Sequence, residues 1–257
     1  MSTIVLFKIT AAPLLILGVT LLIRRFGPVV GGLVMGIPLL TGPISVFTAI
    51  EHGAGFASQA AIANLVGQVS GCVFCCAYAR AATRFGAWTC ATCGILSFSI
   101  ATLVSSHVHW TLMGAIILLA ASLGLLRWGF PKTPTRNLAR IAPWWELPVR
   151  MAVASCFVLA ITAATGHLGA QLSGLIAPFP VLVLILVVFT HLHDGGDTAT
   201  AMMRGVILGS PAFGAFFVVV AVGLAHVPVV ATYVGAALVS VVVSSCVYLL
   251  VRQPIRQ

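Results

Sequence analysis

The stretch from Phe26 to about Cys72 repeats over Leu168 to Gly214 without a gap, at a constant offset of 142 residues. Gly27 falls on Gly169, Gly32 on Gly174, Leu33 on Leu175 and Pro38 on Pro180. Val46-Phe47-Thr48 falls on Val188-Phe189-Thr190, Gly53 on Gly195, Ala57 on Ala199 and Gly67 on Gly209. Leucine matches would be cheap in so apolar a chain. Glycine and proline matches fix backbone shape, so the same local structure is expected twice.

That repeat belongs in a membrane. Hydrophobic residues make up 60% of the chain and charged residues 7%, with a mean hydropathy of +1.15. A soluble domain carries about 25% charged residues. The apolar runs predict an all-α polytopic integral membrane protein of about nine transmembrane helices. The spans fall at approximately 4–23, 28–50, 58–79, 86–105, 108–127, 147–166, 169–191, 199–223 and 227–250. The first reads as a retained helix, not a signal peptide, because Arg24 and Arg25 follow it and no small-residue cleavage site is evident. The link from Arg127 to Arg150 is basic, rich in proline and carries Trp144 and Trp145, as suits a connector at the bilayer surface.

Charge then sets the topology. The net charge of +9 is not a nucleic-acid footprint, since the basic residues are parcelled out at alternate span ends. Arg24 and Arg25 follow span one, Arg80 and Arg84 span three, and Arg252 and Arg256 span nine. Arg127, Lys132, Arg136, Arg140 and Arg150 lie between spans five and six. Nine spans with the N-terminus outside place all these segments, and the C-terminus, in the cytoplasm. Only Lys8 and Arg204 fall elsewhere. Residues 1–106 then form repeat one, 107–146 a linker helix and connector, and 147–257 repeat two. An odd helix between them makes the repeat inverted (4+1+4), the layout that gives many secondary transporters two related conformations.

Candidate solute contacts follow from the repeat. Pro38 and Pro43 in span two, and Pro178 and Pro180 in span seven, each remove an intrahelical hydrogen bond. Interrupted helices at matching places point to a midplane binding site, or to a packing kink. Thr41, Ser45 and Thr48 add polar groups to span two, and Thr190 repeats Thr48. Asn64 and Gln68 share one face of span three, and Ser210 follows the matched Gly209. Such a face must look at another helix or a cavity. Arg204 is the one arginine expected well inside a span, to hold an anionic or zwitterionic solute, to pair with Asp197, or to snorkel to the surface.

Two turns combine acids with histidines: Glu51-His52 ends span two, and His191, His193, Asp194 and Asp197 cluster at the end of span seven. They suit proton coupling or gating, with Asp197 or Thr198 as an alternative helix cap. On opposite sides of the membrane they would not share a metal. Cys72, Cys75, Cys76, Cys90 and Cys93 have spacing that suggests zinc in a soluble protein, but the repeat does not reproduce them, and in lipid cysteine also packs as a small apolar residue. The pairs Gly32/Gly36, Gly67/Gly71 and Gly205/Gly209 predict close helix approach.

The expected function is secondary transport of a small solute by alternating access across a bacterial-type inner membrane, with proton coupling, no cofactor and no metal. Its partners are membrane lipid and the solute, with no nucleic acid, and a homo-oligomer is left open. No P-loop, GxSxG or HExxH occurs, which speaks against a pump or the usual hydrolases. The alternatives are an integral-membrane enzyme acting on a lipid-linked substrate and a non-catalytic membrane subunit or scaffold.

Overall fold

A backbone in lipid must satisfy its own hydrogen bonds, and helices do so within one segment. The computed structural model describes residues 3–131, 148–153, 156 and 179–252. Among them every regular element is an α-helix. In chain order they are α1 (Thr3–Phe26), α2 (Pro28–Met35), α3 (Thr41–His52), α4 (Ala54–Ala81), α5 (Ala87–Ser106) and α6 (Leu112–Gly129). After the connector come α7 (Val181–Asp194), α8 (Gly196–Gly223) and α9 (Val229–Arg252). Most of the expected sixth span and the first part of the seventh lie outside the described residues. Four helices, Ala54–Ala81, Ala87–Ser106, Gly196–Gly223 and Val229–Leu250, are long and apolar enough to cross a membrane. This is the make-up of a helical, membrane-embedded protein.

The offset of 142 governs local structure as well as sequence. It carries the first residues of α4 and α5 onto those of α8 and α9, and the last residues of α3 and α4 onto those of α7 and α8. The reversal between each pair is a single glycine. Gly53 has φ 85° and ψ 165°, and Gly195 has φ 88° and ψ 171°. That region is essentially closed to residues with a Cβ. A Cβ at either position would meet open space, so any cost of filling it is backbone strain alone. Gly53→Ala and Gly195→Ala are each expected to destabilise the fold by about 1–3 kcal/mol. Thermal unfolding of the purified variants checks this, and equal losses at the two sites would show the two reversals to be equivalent.

The centre of the molecule is the antiparallel pair α4 and α8. Ser58 near the start of α4 donates to the Ala221 carbonyl near the end of α8 (2.8 Å). Gln68 donates to Ser210 at the middle (2.9 Å). Thr200 near the start of α8 donates to the Gly196 carbonyl (2.8 Å), and its hydroxyl lies 3.5 Å from the Ala79 carbonyl near the end of α4. Two apolar clusters flank this crossing. One joins Phe74, Tyr78 and Ala79 of α4 to Ala199, Met202 and Met203 of α8, with α5 and α7 around them. The other joins Ala57, Ala61 and Leu65 to Phe216, Phe217 and Val220, with α9 and α3 around them. The outer faces of α5 and α9 expose Ile100, Leu103, Leu238 and Val242, which suits contact with lipid.

Lipid gives apolar helices no hydrophobic reason to associate, so close van der Waals packing must supply it. Glycine provides that closeness where α2 meets α8. A Cβ at Gly32 would run into the Met202 carbonyl, at Gly205 into the Val29 carbonyl, and at Gly209 into the Leu33 carbonyl. At Gly36 it would lie 2.6 Å from the Gly209 Cα. Two of the glycine pairs read from the sequence therefore face each other.

Candidate functional site

The expected second span is two helices. α2 stops at Met35 and α3 starts at Thr41, with buried Pro38 between them. Proline has no amide hydrogen, and the chain closes a tight turn around it: the Leu39 amide donates to the Ile37 carbonyl (2.8 Å). The Gly42 amide then donates to the Pro38 carbonyl (2.8 Å). The offset reproduces both bonds at Pro180. The Val181 amide donates to Phe179 (2.8 Å) and the Leu184 amide to Pro180 (2.7 Å). Pro180 itself, at φ −82° and ψ 58°, has the inverse γ-turn geometry. α3 and α7 thus begin alike, and neither has a side-chain cap.

Both begin level with the middle of the long helix that follows them. Gly53 folds α3 back along α4, so Thr41, twelve residues before it, is level with Leu65, twelve after. Gly195 likewise sets Val181 level with Gly209. The Gln68–Ser210 bond lies in the same layer, which at 1.5 Å per residue is about 6 Å deep along α4.

Several expected site residues meet there. Asn64, Gln68, Ser210 and Ser45 are buried, and Thr41 is half-buried. Gln68 binds Ser210, whose hydroxyl donates to the Val206 carbonyl (3.1 Å) and lies 3.4 Å from the Cys72 sulfur. Asn64 donates to the Ala60 carbonyl (2.9 Å), while its Oδ1 has no partner. Thr41 Oγ1 is also buried without a partner. Thr48 is absorbed locally, donating to Ile44 (2.9 Å), and buried Thr190 lies near the far end of α7. Pro180 is half-buried at the start of α7.

Of the three roles expected for Arg204, reach to the surface is the one that suits its placement. Arg204 sits on an exposed face of α8, as does Asp197, and the two form no ion pair. α8 packs its small face (Gly205, Gly209) on α2, which turns Arg204 outward. The buried guanidinium belongs instead to Arg150, expected in the connector, and stacks 5.1 Å from the centre of the Phe189 ring. Neither Asp197 nor Thr198 caps α8. Gly195 occupies the cap position, and Thr198 donates to the Asp194 carbonyl (3.1 Å).

The acid–histidine turns lie at opposite ends of the α4/α8 pair, because α4 and α8 run antiparallel. Glu51 and His52 are exposed, with His52 stacked on Phe56 at 4.9 Å. At the other end His191 Nδ1 lies 3.2 Å from the Tyr78 hydroxyl, and His193 Nδ1 lies 3.3 Å from the Phe189 carbonyl. Half-buried Asp194 closes α7 beside them. The two turns cannot share one metal. Among the described residues no three His, Cys, Asp or Glu side chains gather as metal ligands, and Cys72, Cys75, Cys76 and Cys90 are buried in the packing.

Sequence reasoning missed both tyrosines that tether the half-helices. Tyr233 of α9 donates to the Ser45 carbonyl (2.7 Å) and lies 2.8 Å from the Ser45 hydroxyl, holding α3. Tyr78 holds α7 through His191. The offset puts Val220 on Tyr78 and Ala91 on Tyr233, so the two tethers are not copies of each other. A signal was available: the chain has three tyrosines, and these two stand in apolar helices, where a buried hydroxyl needs a partner.

No protein-family model, curated protein or solved structure matches the chain.

Proposed function

We propose that this chain is a secondary transporter that moves a small solute by alternating access, built as an inverted repeat of four spans on either side of a linking helix. The observation that carries the reading is the Gln68–Ser210 hydrogen bond. Those two positions are equivalent under the offset, and only a two-fold axis running through the contact brings a residue onto its own equivalent. The flanking contacts support the same axis, since Ser58–Ala221 and Thr200–Ala79 are equivalent pairs. Equivalent helices that run antiparallel cross a membrane in opposite directions. Two half-sequences so related can exchange conformations at little energetic cost, which is what alternating access requires.

The solute's place in this reading is the layer where α3 and α7 start. Broken helices at membrane depth are tolerated where they face protein or a water-lined path. The exposed Glu51-His52 turn at one end and the His191–Asp194 turn at the other are the groups proposed to take up and release protons. The setting is a bacterial-type inner membrane, N-terminus outside and C-terminus in the cytoplasm.

The test is the sidedness of two equivalent positions. Gly55 and Asp197 are exposed and correspond under the offset, whereas a Cβ at Gly196 would strike the Ala82 carbonyl. Gly55→Cys and Asp197→Cys, each in a cysteine-free background, are expected to react oppositely with a membrane-impermeant thiol reagent. Gly55→Cys labels in intact cells, and Asp197→Cys only after permeabilisation. Labelling of both from one side would remove the inverted repeat and with it the transport reading.

A further inference from the structure

One buried oxygen in the midplane layer, on Asn64, asks for a hydrogen-bond donor, and the buried hydroxyl of Thr41 has no partner of either kind. Asn64 is 6% exposed, and its amide cannot be flipped to hide the problem. The Ala60 carbonyl needs the NH2 side, which leaves Oδ1 as the orphan. A helix interior has no spare N–H to offer it. Thr41, at the start of α3, keeps its hydroxyl buried without a partner. The other buried hydroxyls without partners, Thr20, Ser70, Thr102 and Ser240, sit within helices, where a serine or threonine hydroxyl can bond the carbonyl of the preceding turn. Repeat two fills the equivalent positions with Val206 and Val183. The need for a donor is thus confined to one side of the axis.

Charge is missing from this layer. The sequence holds no Asp, Glu, Lys or Arg from Phe26 to Ile50, from His52 to Ala79, from Met151 to His193, or from Gly205 to Val251. An ion brought to this depth would find no counter-charge on these segments and would cost several kcal/mol to desolvate.

We infer that Asn64 Oδ1 is the acceptor for a small uncharged solute that donates hydrogen bonds, of the hydroxyl- or amide-bearing class. This rests on the transport reading in treating the midplane as the solute's path, and it replaces the anionic preference that Arg204 suggested.

The experiment is thermal unfolding of the purified full-length protein, alone and with urea, acetamide, glycerol or erythritol, set against acetate, phosphate and choline. Without solute, Asn64→Leu removes an unsatisfied oxygen and is expected to unfold about 2–6 °C above the parent. Asn64→Ala, measured beside it, removes the same oxygen without added bulk and should also not fall below the parent. Gln68→Leu breaks a made hydrogen bond and should unfold below it. At least one neutral probe should raise the parent's midpoint, and both Asn64 variants should lose that shift. If both Asn64 variants fall with Gln68→Leu, Asn64 is a structural residue and the inference is wrong. It is equally wrong if only charged probes stabilise the parent, or if no neutral probe does. Flux of the stabilising probe into proteoliposomes decides the transport reading separately. A neutral probe bound through Asn64 but never carried would keep Asn64 as an acceptor and remove the transporter.

Discussion

Gly209→Ala is expected to cost at least about 3 kcal/mol and to lower the unfolding midpoint by about 6–12 °C. The added methyl would collide with the Leu33 carbonyl and lie 2.8 Å from the Gly36 Cα. Both obstacles are backbone, so no side chain can turn aside, and α2 must leave α8. Gly36→Ala meets the same limit from the other helix, 2.6 Å from the Gly209 Cα and the Val206 carbonyl. The double variant should cost less than the sum of the two, because once α2 has moved away the second methyl has room. Gly18→Ala and Gly235→Ala are the controls. Both lie in helices with nothing within 4 Å of an added Cβ. Each should be neutral or stabilising by up to about 1 kcal/mol through helix propensity alone. Thermal unfolding of the five proteins measures all of this. A Gly209→Ala protein as stable as the Gly235→Ala control would mean that α2 does not pack on α8 as described.

The glycine crossing is a part of the fold that the sequence displayed openly, as were the breaks at Pro38 and Pro180. These residues act locally: a missing amide hydrogen or a missing Cβ has the same consequence in any surroundings. For the same reason the repeat was legible, since matched glycines and prolines force matched backbones. Orientation around a helix was less accessible. Arg204 and Gly205 are adjacent in sequence, yet one is exposed and the other buried against α2, and in an almost uniformly apolar helix no polar stripe marks which face is which. Arg150, a basic residue assigned to a surface connector, is buried and packs over Phe189. The pairings of Tyr233 with Ser45 and Tyr78 with His191 join residues more than a hundred positions apart, and nothing local announces them. What the sequence could show was that a tyrosine in an apolar helix needs a partner, not which partner it finds.

Pro38→Ala and Pro180→Ala should reduce solute flux by an order of magnitude or more while leaving the protein at least as stable as the parent. An alanine at either site restores the amide hydrogen, and both prolines lie outside the helices, so neither helix loses a bond it now makes. At Pro38 the amide can close the ladder that now stops at Met35, and α2 and α3 tend towards one continuous helix. The turn that sends Leu39 back to Ile37 would be lost, and with it the placing of Thr41 beside the level of Asn64. Pro180→Ala removes the equivalent turn from Phe179 to Val181. Because the two turns share one geometry, the losses at the two sites should be of similar size, even though only repeat one carries the buried oxygen that wants a donor. Similar losses would mean that both breaks move during transport. A loss confined to Pro38→Ala would mean that the break serves solute contact and that α7 is a fixed wall. Full flux in both variants, with normal insertion, would reduce the breaks to packing kinks and take the midplane layer out of the transport path.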